Sequence, residues 1–418
     1  MTPELKGDLL VTVVKLLVSF LFVLVVVAYT TLLERWICAW MQDRLGPNRT
    51  GPRGILQPVA DGIKNILKEE MIPGSSNKFL FVLAPMLALF PAIALPMVIA
   101  WGAPLPVHFD FSPWLIGGLT GRFVFNGVTS TAVADLPVGF LFVLAFSSLG
   151  VYGIALAGWS SNNKYSLMGG LRAGAQMISY EIALGLSLVP ILLLTGNVSL
   201  SEIVARQQQG AFGWFIFPLA LSAFVFMVSS LAETNRVPFD LPEAESELVA
   251  GYHSEYSAMK FSAFFIAEYA NMLTASMMFS TLFLGGWGIP FTTWDERGGL
   301  LQTLVTGTFF FARVGALIFL FIWLRWTLPR FRFDQLMALG WKVLLPISMA
   351  YLLLIAGAVW GVDAFLGGAG QSVRNLALFL VNLPVLFLVF RVLDRGTLVS
   401  GSYRRTLPAP GRQGPSAV

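Results

Sequence analysis

Runs of about 20 apolar residues recur along the whole of this 418-residue chain, and they limit what it can fold into. As a helix, a run of that length spans the hydrocarbon core of a bilayer. Hydrophobic residues make up 56% of the chain and charged residues 12%, a composition too apolar for a soluble domain. Because irregular backbone cannot face lipid, each run is predicted to be a helix. The predicted fold class is therefore an all-α, polytopic membrane protein.

Nine spans are predicted by the apolar runs. The first run is longer than the apolar core of a secretory signal and has no small-residue cleavage site after it, so we expect it to be retained. Residues 1–393 are expected to form a single transmembrane helical domain, and the polar residues 394–418 a disordered tail. The predicted spans are 9–33, 79–101, 137–158, 172–195, 213–232, 258–284, 303–328, 343–365 and 373–393.

The distribution of Lys and Arg predicts the orientation. These residues are concentrated in the connections after spans one, three, five and seven and in the tail, and they are sparse in the other connections. Positive charge accumulates on the cytoplasmic side of membrane proteins. The N-terminus is therefore predicted to lie outside, with the tail and the connection between spans five and six in the cytoplasm.

That connection, residues 233–257, is the strongest functional signal. It begins Glu-Thr-Asn-Arg-Val-Pro-Phe-Asp-Leu-Pro-Glu-Ala-Glu-Ser-Glu-Leu, and Arg236 is the one cation among its carboxylates. Like charges so close together cannot all ionise freely, so some of these groups should hold protons near neutral pH. The loop is thus predicted to handle protons; the alternative is an acidic loop in contact with solvent. Its carboxylates are Glu233, Asp240, Glu243, Glu245, Glu247 and Glu255.

Three predicted spans carry a charge near their middle: Glu181 in span four, Glu268 in span six and Arg313 in span seven. A central charge costs about 2.5–3.5 kcal/mol on insertion scales, so each should face protein or water, paired or neutralised. Such residues are candidates for function. The alternative is a structural ion pair, such as Glu268 with Arg313.

The connection after span one is a second candidate site. Glu34 and Arg35 stand at its start, and Asp43-Arg-Leu-Gly-Pro-Asn-Arg-Thr-Gly-Pro-Arg-Gly54 forms a cationic loop with two Gly-Pro-type turns. The positive-inside bias alone is the alternative explanation of its arginines. Residues 55–71, which include Asp61, have the periodicity of an amphipathic helix in the membrane interface. Such a helix either roofs a cavity that opens toward the cytoplasm or serves as an anchor.

The sequence predicts no metal site. Cys38 is the single cysteine, and the histidines are His108 and His253. One thiol can neither form an internal disulfide nor ligate an iron–sulfur cluster. We therefore expect the chain to bind no redox cofactor. It also has no basic stripe interleaved with aromatic residues, so nucleic-acid binding is not expected.

Three motifs resemble one family. The 233–248 segment closely resembles the most recognisable motif of the H-subunit family of NADH:quinone oxidoreductase, respiratory complex I; Asp43–Arg49 and Gln176-Met-Ile-Ser-Tyr-Glu181 resemble two more, in the family's order. The resemblance runs from about Leu9 to Pro346. It implies a membrane subunit of a proton-translocating enzyme, in the bacterial inner (plasma) membrane, that is not catalytic alone. Its expected partners are membrane-arm subunits and the quinone-site and terminal iron–sulfur subunits of the hydrophilic arm.

The resemblance also implies roles for individual residues. Quinone, for instance ubiquinone, is expected to enter from lipid through this subunit, while FMN and iron–sulfur clusters belong to partner subunits. Glu34, Arg35, Arg44 and Asp61 match positions around the quinone passage. Arg236 and Arg313 are possible ion-pair partners of the acids. The positions matched to proton coupling are Glu181, Glu233, Asp240, Glu243, Glu245, Glu247, Glu255 and Glu268.

Two other functions stay open at this point. One is the equivalent subunit of a membrane-bound hydrogenase or formate-oxidising complex, which shares the acidic loop. The other is a stand-alone proton-coupled transporter, which would be expected to have inverted repeats and discontinuous helices. The outer connection 102–136, the ninth span and the tail depart from the family pattern.

Overall fold

Helices dominate the structure, a computed structural model that describes residues 3–111, 123–208, 213–240, 251–289, 292, 299–365 and 371–394. Each of the nine predicted spans falls on a helix. The elements are α1 Pro3–Met41, α2 Gln57–Leu67, α3 Lys78–Val98, β1 Leu105–Phe111, β2 Phe123–Thr129, α4 Gly139–Ser160, α5 Lys164–Thr195, α6 Leu200–Gln207, α7 Ala220–Glu233, α8 Ala258–Phe283, α9 Leu300–Thr327, α10 Phe333–Ala338, α11 Leu345–Phe365 and α12 Gln371–Asp394. A 3₁₀ turn lies at Pro52–Gly54, and a π-helical segment, Leu339–Leu344, joins α10 to α11.

The apolar helices confirm the all-α membrane fold. Within the described ranges, six helical stretches are long and apolar enough to cross a membrane: α1, α3, α4, α5, α9 and the stretch Phe333–Phe365. Helix α7 and the segment Val373–Val389 of α12 are shorter apolar helices. The 26-residue α8 is more polar, and its polar side chains, including Ser262, Glu268 and Ser276, are buried inside the protein. Helix α8 is thus the central helix of the bundle.

Contacts between helix ends sort the connections onto two faces. At one face, the backbone N–H of Asn77, which caps α3, donates to the Ser160 carbonyl at the end of α4 over 3.2 Å. At the other, the N–H of Ile216 before α7 donates to the Phe283 carbonyl at the end of α8 over 3.0 Å. The chain therefore passes back and forth between two faces, as a multi-pass topology requires. Which face is cytoplasmic stays a prediction.

Glycines allow the helices to approach closely. In lipid, helices associate through close van der Waals packing rather than a hydrophobic effect. A Cβ atom added at Gly158 of α4 would lie 2.6 Å from the Ser166 carbonyl oxygen of α5, and one at Gly153 would lie 2.7 Å from the Ala88 backbone nitrogen of α3. The α3–α4–α5 layer therefore depends on the absence of side chains at these positions.

The structure corrects several predicted boundaries. Helix α1 continues past residue 33 to Met41, so Glu34 and Arg35 lie on a helix rather than at the start of a loop. Helix α5 begins at Lys164, well before the predicted residue 172. The outer connection holds an antiparallel hairpin in which Leu105 pairs with Thr129 and Phe111 with Phe123. The predicted tail, apart from Asp394 at the end of α12, lies outside the described residues.

Candidate functional site

A cavity of about 770 Å³ lies between α1, the loop after it, α2, α8 and α9; we call it the large cavity. Its walls are mainly apolar on α1 and α8, where Leu24, Val27 and Phe265 contribute. The four residues matched to the quinone passage, Glu34, Arg35, Arg44 and Asp61, all line it. The sequence grouped these residues only by motif. The structure places them, from α1, α2 and the loop between, around one cavity.

Among the four charged residues just named, Glu34 has the most ion-pair and hydrogen-bond partners. It is 5% exposed, and its carboxylate accepts three contacts. Arg325 Nη1 lies 2.5 Å from Oε1, Arg236 Nη1 lies 3.3 Å from Oε2, and the Tyr269 hydroxyl donates to Oε2 over 2.7 Å. A buried carboxylate is tolerated where cations and hydrogen-bond donors compensate for its lost hydration.

Arg236 connects Glu34 to Glu268. Its side chain is 3% exposed; Nε forms an ion pair with Glu268 Oε1, and Cζ lies 4.2 Å from the centre of the Tyr269 ring. Two carboxylates on α1 and α8 thus share one buried guanidinium from the start of the acidic loop. We call Glu34, Arg236, Glu268, Tyr269 and Arg325 the Arg236 cluster. The described start of the loop, 233–240, therefore folds inward rather than into solvent.

Arg313 does not take part in this cluster. Its guanidinium donates to the carbonyl oxygens of Gly286 and Gly288, with Nη2 2.7 Å from the latter, and Cζ lies 4.8 Å from the Trp214 ring. The suggested ion pair of Arg313 with Glu268 is therefore wrong. Arg313 instead holds the turn after α8, while Arg236 pairs with Glu268.

A small cavity of about 20 Å³ adjoins the cluster at Glu268, and Glu233 and Asn235 also line it. A second cavity, of about 40 Å³, shares Glu233 and Asn271 with the first and is otherwise lined mainly by apolar side chains such as Val143 and Phe226. A polar cavity of about 10–15 Å³ has room for a water molecule. Glu233 borders both cavities and is close enough to Glu181 of α5 for their charges to repel each other. The acids Glu34, Glu268, Glu233 and Glu181 thus succeed one another through the bundle, the first two joined by Arg236.

The remaining loop acids are only partly described. The Glu255 carboxylate accepts a hydrogen bond from Asn163 Nδ2 over 2.6 Å, and the Asn163 side chain also caps α5. The Asp240 backbone carbonyl accepts from Arg330. Glu243, Glu245 and Glu247 lie in residues 241–250, outside the described part of the chain.

The end of the acidic loop is buried against α8. The His253 ring lies 5.1 Å from Tyr252 and 5.3 Å from Phe261, centre to centre. Burial lowers the pKa of the His253 imidazole to about 4, so it is neutral near pH 7. Burial likewise raises the pKa of the Tyr256 phenol to about 12, against the opposing effect of its hydrogen bond with Ser160. No group of three or more His, Cys, Asp or Glu side chains in the described ranges is arranged to hold a metal ion.

Helix α2 forms the outer wall of the large cavity. Arg35 Nη1 lies 2.7 Å from Asp61 Oδ2, which ties α1 to α2, and Gln57 Nε2 donates to Asp61 Oδ1 over 3.3 Å. None of the residues of α2 is buried, and Ile63 and Ile66 are more than half exposed. An unburied apolar face on a short polar helix agrees with the predicted interfacial position, which stays a prediction.

The sequence motifs did not identify Arg325 or Tyr269 as site residues. Arg325 falls inside the predicted seventh span, and its partner Glu34 is 291 positions away in the chain. Tyr269 directly follows Glu268 on α8. The signal available for Arg325 was a cation within an apolar run, the same signal that selected Arg313.

Comparisons with known proteins agree with the motifs. A profile of the family described as "NADH dehydrogenase" matches residues 14–356. An H subunit of NADH-quinone oxidoreductase from Koribacter versatilis is 51% identical over 350 residues, which cover 83% of this chain and 96% of that protein. An H subunit from Geobacter sulfurreducens is 49% identical over 341 residues, 82% of this chain and 92% of the relative. The H subunit from Streptomyces avermitilis is 45% identical over 368 residues, 85% of this chain and 77% of the relative.

Proposed function

This chain belongs to the H-subunit family of NADH-quinone oxidoreductase, and from that premise we propose that it forms the passage through which quinone enters and couples quinone reduction to proton translocation. The family match favours this function over the hydrogenase-type and stand-alone transporter alternatives that the sequence left open. We further propose that the protein sits in the bacterial inner membrane with its N-terminus outside and its acidic loop in the cytoplasm.

The large cavity supports the passage. Its volume of about 770 Å³ lies in the range of small-molecule sites. The apolar walls of α1 and α8 suit the isoprenoid tail of a quinone, while Arg44, Arg35 and Asp61 form a polar rim that suits the carbonyl oxygens of its ring. Only 11% of the most apolar stretch of α1 is buried within the chain. One side of the cavity therefore borders a helix that faces lipid or a neighbouring subunit.

The coupling proposal is supported by residues that both line the large cavity and belong to the Arg236 cluster. Glu34, Tyr269 and Arg325 line the large cavity, and the first two contact Arg236, which pairs with Glu268. Glu268 and Glu233 then border the same small cavity. A change of charge or protonation in the passage thus acts first on Glu34, and through Arg236 on the acids deeper in the bundle.

The energies are of the right size for such coupling. Moving one charge across 100 mV takes about 2.3 kcal/mol, and a pKa change of one unit corresponds to about 1.4 kcal/mol. Quinone takes up two electrons and two protons to become quinol; the electrons come from partner subunits, to which this proposal assigns the iron–sulfur clusters and FMN. The carboxylates of this chain then redistribute protons among Glu268, Glu233 and Glu181.

The test is neutralisation of each inner acid in the assembled complex. We expect Glu268→Gln, Glu233→Gln and Glu181→Gln to lower quinone-dependent NADH oxidation and proton pumping by about tenfold or more, since a positioned proton-transferring group typically contributes about 10²–10⁴-fold in rate. Glu202→Gln, an exposed acid on α6, is the matched control and should leave both rates unchanged. Normal turnover and pumping in all three variants would refute the coupling role.

A further inference from the structure

Gln176 of α5 clamps the start of the acidic loop. Its side chain is fully buried, and Nε2 donates to the Ala232 and Phe239 carbonyl oxygens, each over 2.9 Å. The same nitrogen lies 3.3 Å from Asn235 Oδ1. One amide on α5 therefore bonds the last turn of α7 and a point seven positions further along the chain.

The direction of this amide is fixed by its partners. Backbone carbonyl oxygens only accept hydrogen bonds, so the NH₂ group of Gln176 must face Ala232 and Phe239 and its Oε1 must point away. Within the described part of the chain, Oε1 is buried without a hydrogen-bond partner. Burying an unpaired acceptor costs free energy that an apolar side chain of the same size would avoid. Packing alone therefore does not explain a glutamine at position 176. The hydrogen bonds donated by its amide group explain it.

The clamped segment carries the charges of the coupling route. Asn235 has a φ of +51°, the left-handed region that asparagine tolerates better than most residues. Arg236 follows directly, and the Phe239 N–H donates to the Arg236 carbonyl over 2.7 Å, which closes the turn. Gln176 thus bonds both ends of the turn that places Glu233 at the small cavities and Arg236 between its two carboxylates.

We propose that Gln176 is the positioning residue of this route: its amide donors hold Arg236 within reach of Glu34 and Glu268. The proposal rests on the proposed function, because it assigns a role in the same route. Gln176 lines none of the three cavities described above and therefore acts through Arg236 rather than on quinone.

The test compares two substitutions of similar size. Gln176→Met keeps the length of the side chain and removes the donors; we expect quinone-dependent NADH oxidation in the assembled complex to fall about fivefold to tenfold. In Gln176→Glu, a protonated carboxyl can donate one of the two bonds, whereas an ionised one would face two carbonyl oxygens. We expect this variant to regain activity as pH falls from 8 to 6, relative to wild type, while the Met variant keeps a profile parallel to wild type.

The matched control is Ser187→Ala, which removes a buried hydroxyl of α5; in the described ranges this hydroxyl bonds only within its own helix, to the Leu184 carbonyl. It should leave turnover and its pH profile unchanged. Wild-type turnover of assembled Gln176→Met overturns the proposal. If that variant fails to assemble, a Gln176→Glu profile parallel to wild type overturns it. Loss of activity in Glu233→Gln but not in Gln176→Met would leave the proposed function standing without this positioning role.

Discussion

Arg236 is the buried cation that Glu34 and Glu268 share, so replacing it leaves two buried carboxylates with one positive charge fewer. Breaking a buried ion pair by removing one partner costs roughly 3–5 kcal/mol, because the other charge stays poorly solvated. We expect Arg236→Gln to lower the amount of assembled complex in membranes and the midpoint of thermal unfolding in detergent. Blotting of membrane fractions measures the amount of assembled complex, and the midpoint is measured on the purified complex.

A second substitution separates this ion pair from other roles of Arg236. The double variant Arg236→Gln with Glu268→Gln removes both charges, and Glu34 keeps its contact with Arg325. Stability should then recover most of the loss seen in the single variant. A double variant that is no more stable than Arg236→Gln alone would contradict the assignment of Glu268 as the partner.

Burial of His253 makes the protein sensitive to acid. Burial lowers its pKa to about 4, whereas the imidazole of an unfolded chain titrates near 6.5. Between these values the unfolded state binds a proton that the folded state does not, so this contribution to stability is full above about pH 6.5 and is lost as the pH falls toward 4. The loss is at most roughly 3 kcal/mol. We expect His253→Phe to reduce the difference between thermal midpoints measured at pH 7 and pH 4.5.

The other histidine of the chain serves as the control for this prediction. His108 lies exposed on β1, so His108→Gln should keep the pH dependence of the wild type. An unchanged pH dependence in His253→Phe would show that the carboxylates, rather than this imidazole, cause the loss of stability in acid.

The sequence could not predict which charged residues of the site form ion pairs with each other. The motifs selected Glu34, Arg236 and Glu268 as separate candidates, but they gave no distances between them. The sequence offered Arg313 as readily as Arg236 for Glu268, because both were cations near or within spans. Which one pairs depends on how the loop folds against α1 and α8, a tertiary contact that no local pattern encodes.

At the scale of elements, each of the nine apolar runs coincides with a helix of the described chain, but the runs do not predict where the helices end. An apolar run stops at the first charge, yet α1 continues through Glu34 and Arg35 because those charges find partners on α2, α8, α9 and the acidic loop. No strand was predicted in the outer connection: β1 alternates apolar and polar side chains from Val107 to Phe111, but β2 begins with the apolar run Phe123-Val-Phe125, so the two strands share no single periodicity. Helix ends and the strands of this connection thus depend on tertiary contacts that hydropathy does not report.

Helix α5 packs on the returning acidic loop through Gly169. A Cβ atom there would lie 2.8 Å from the Gly251 carbonyl carbon and from the Tyr252 nitrogen, and backbone atoms cannot rotate away as a side chain would. We expect Gly169→Ala to cost about 1–3 kcal/mol, as overpacking typically does. The measurement is the thermal midpoint of the complex in detergent.

The same helix offers a matched control for that substitution. Among the described residues, and apart from the backbone of α5 itself, a Cβ atom at Gly185 would meet no atom within 4 Å. Gly185→Ala should therefore leave stability unchanged or raise it slightly, because alanine has the greater helix propensity. Equal losses in the two variants would mean that something other than contact with residues 251 and 252 decides the cost.

At the scale of the whole molecule, the Arg236 cluster lies between two cavities: Glu34, Tyr269 and Arg325 line the large cavity, and Glu268 lines the small one of about 20 Å³. Glu233 connects that small cavity to the second one, of about 40 Å³, whose lining is mainly apolar. The sequence suggested a cavity near α2 and a polar route through the inner acids, but not that one wall serves both. Tyr269 and Glu34, whose contact forms that wall, are 235 positions apart in the chain.

Helix α12 lies beyond the family match. It packs against α11, where Asn382 accepts a hydrogen bond from the Tyr351 hydroxyl over 2.6 Å.

Cys38, the single cysteine of the chain, reports on occupation of the large cavity because its side chain lines it. We expect an apolar maleimide to alkylate Cys38 several-fold more slowly when a short-chain quinone is present in excess, since both molecules need the same space. Mass spectrometry of the peptide that contains Cys38 measures the rate within the intact complex. In Thr308→Cys, the new thiol lies exposed on α9 away from the cavity, and its alkylation should not depend on quinone. If quinone leaves the rate at Cys38 unchanged while the complex reduces it at the normal rate, quinone reaches its site by a route that avoids this cavity.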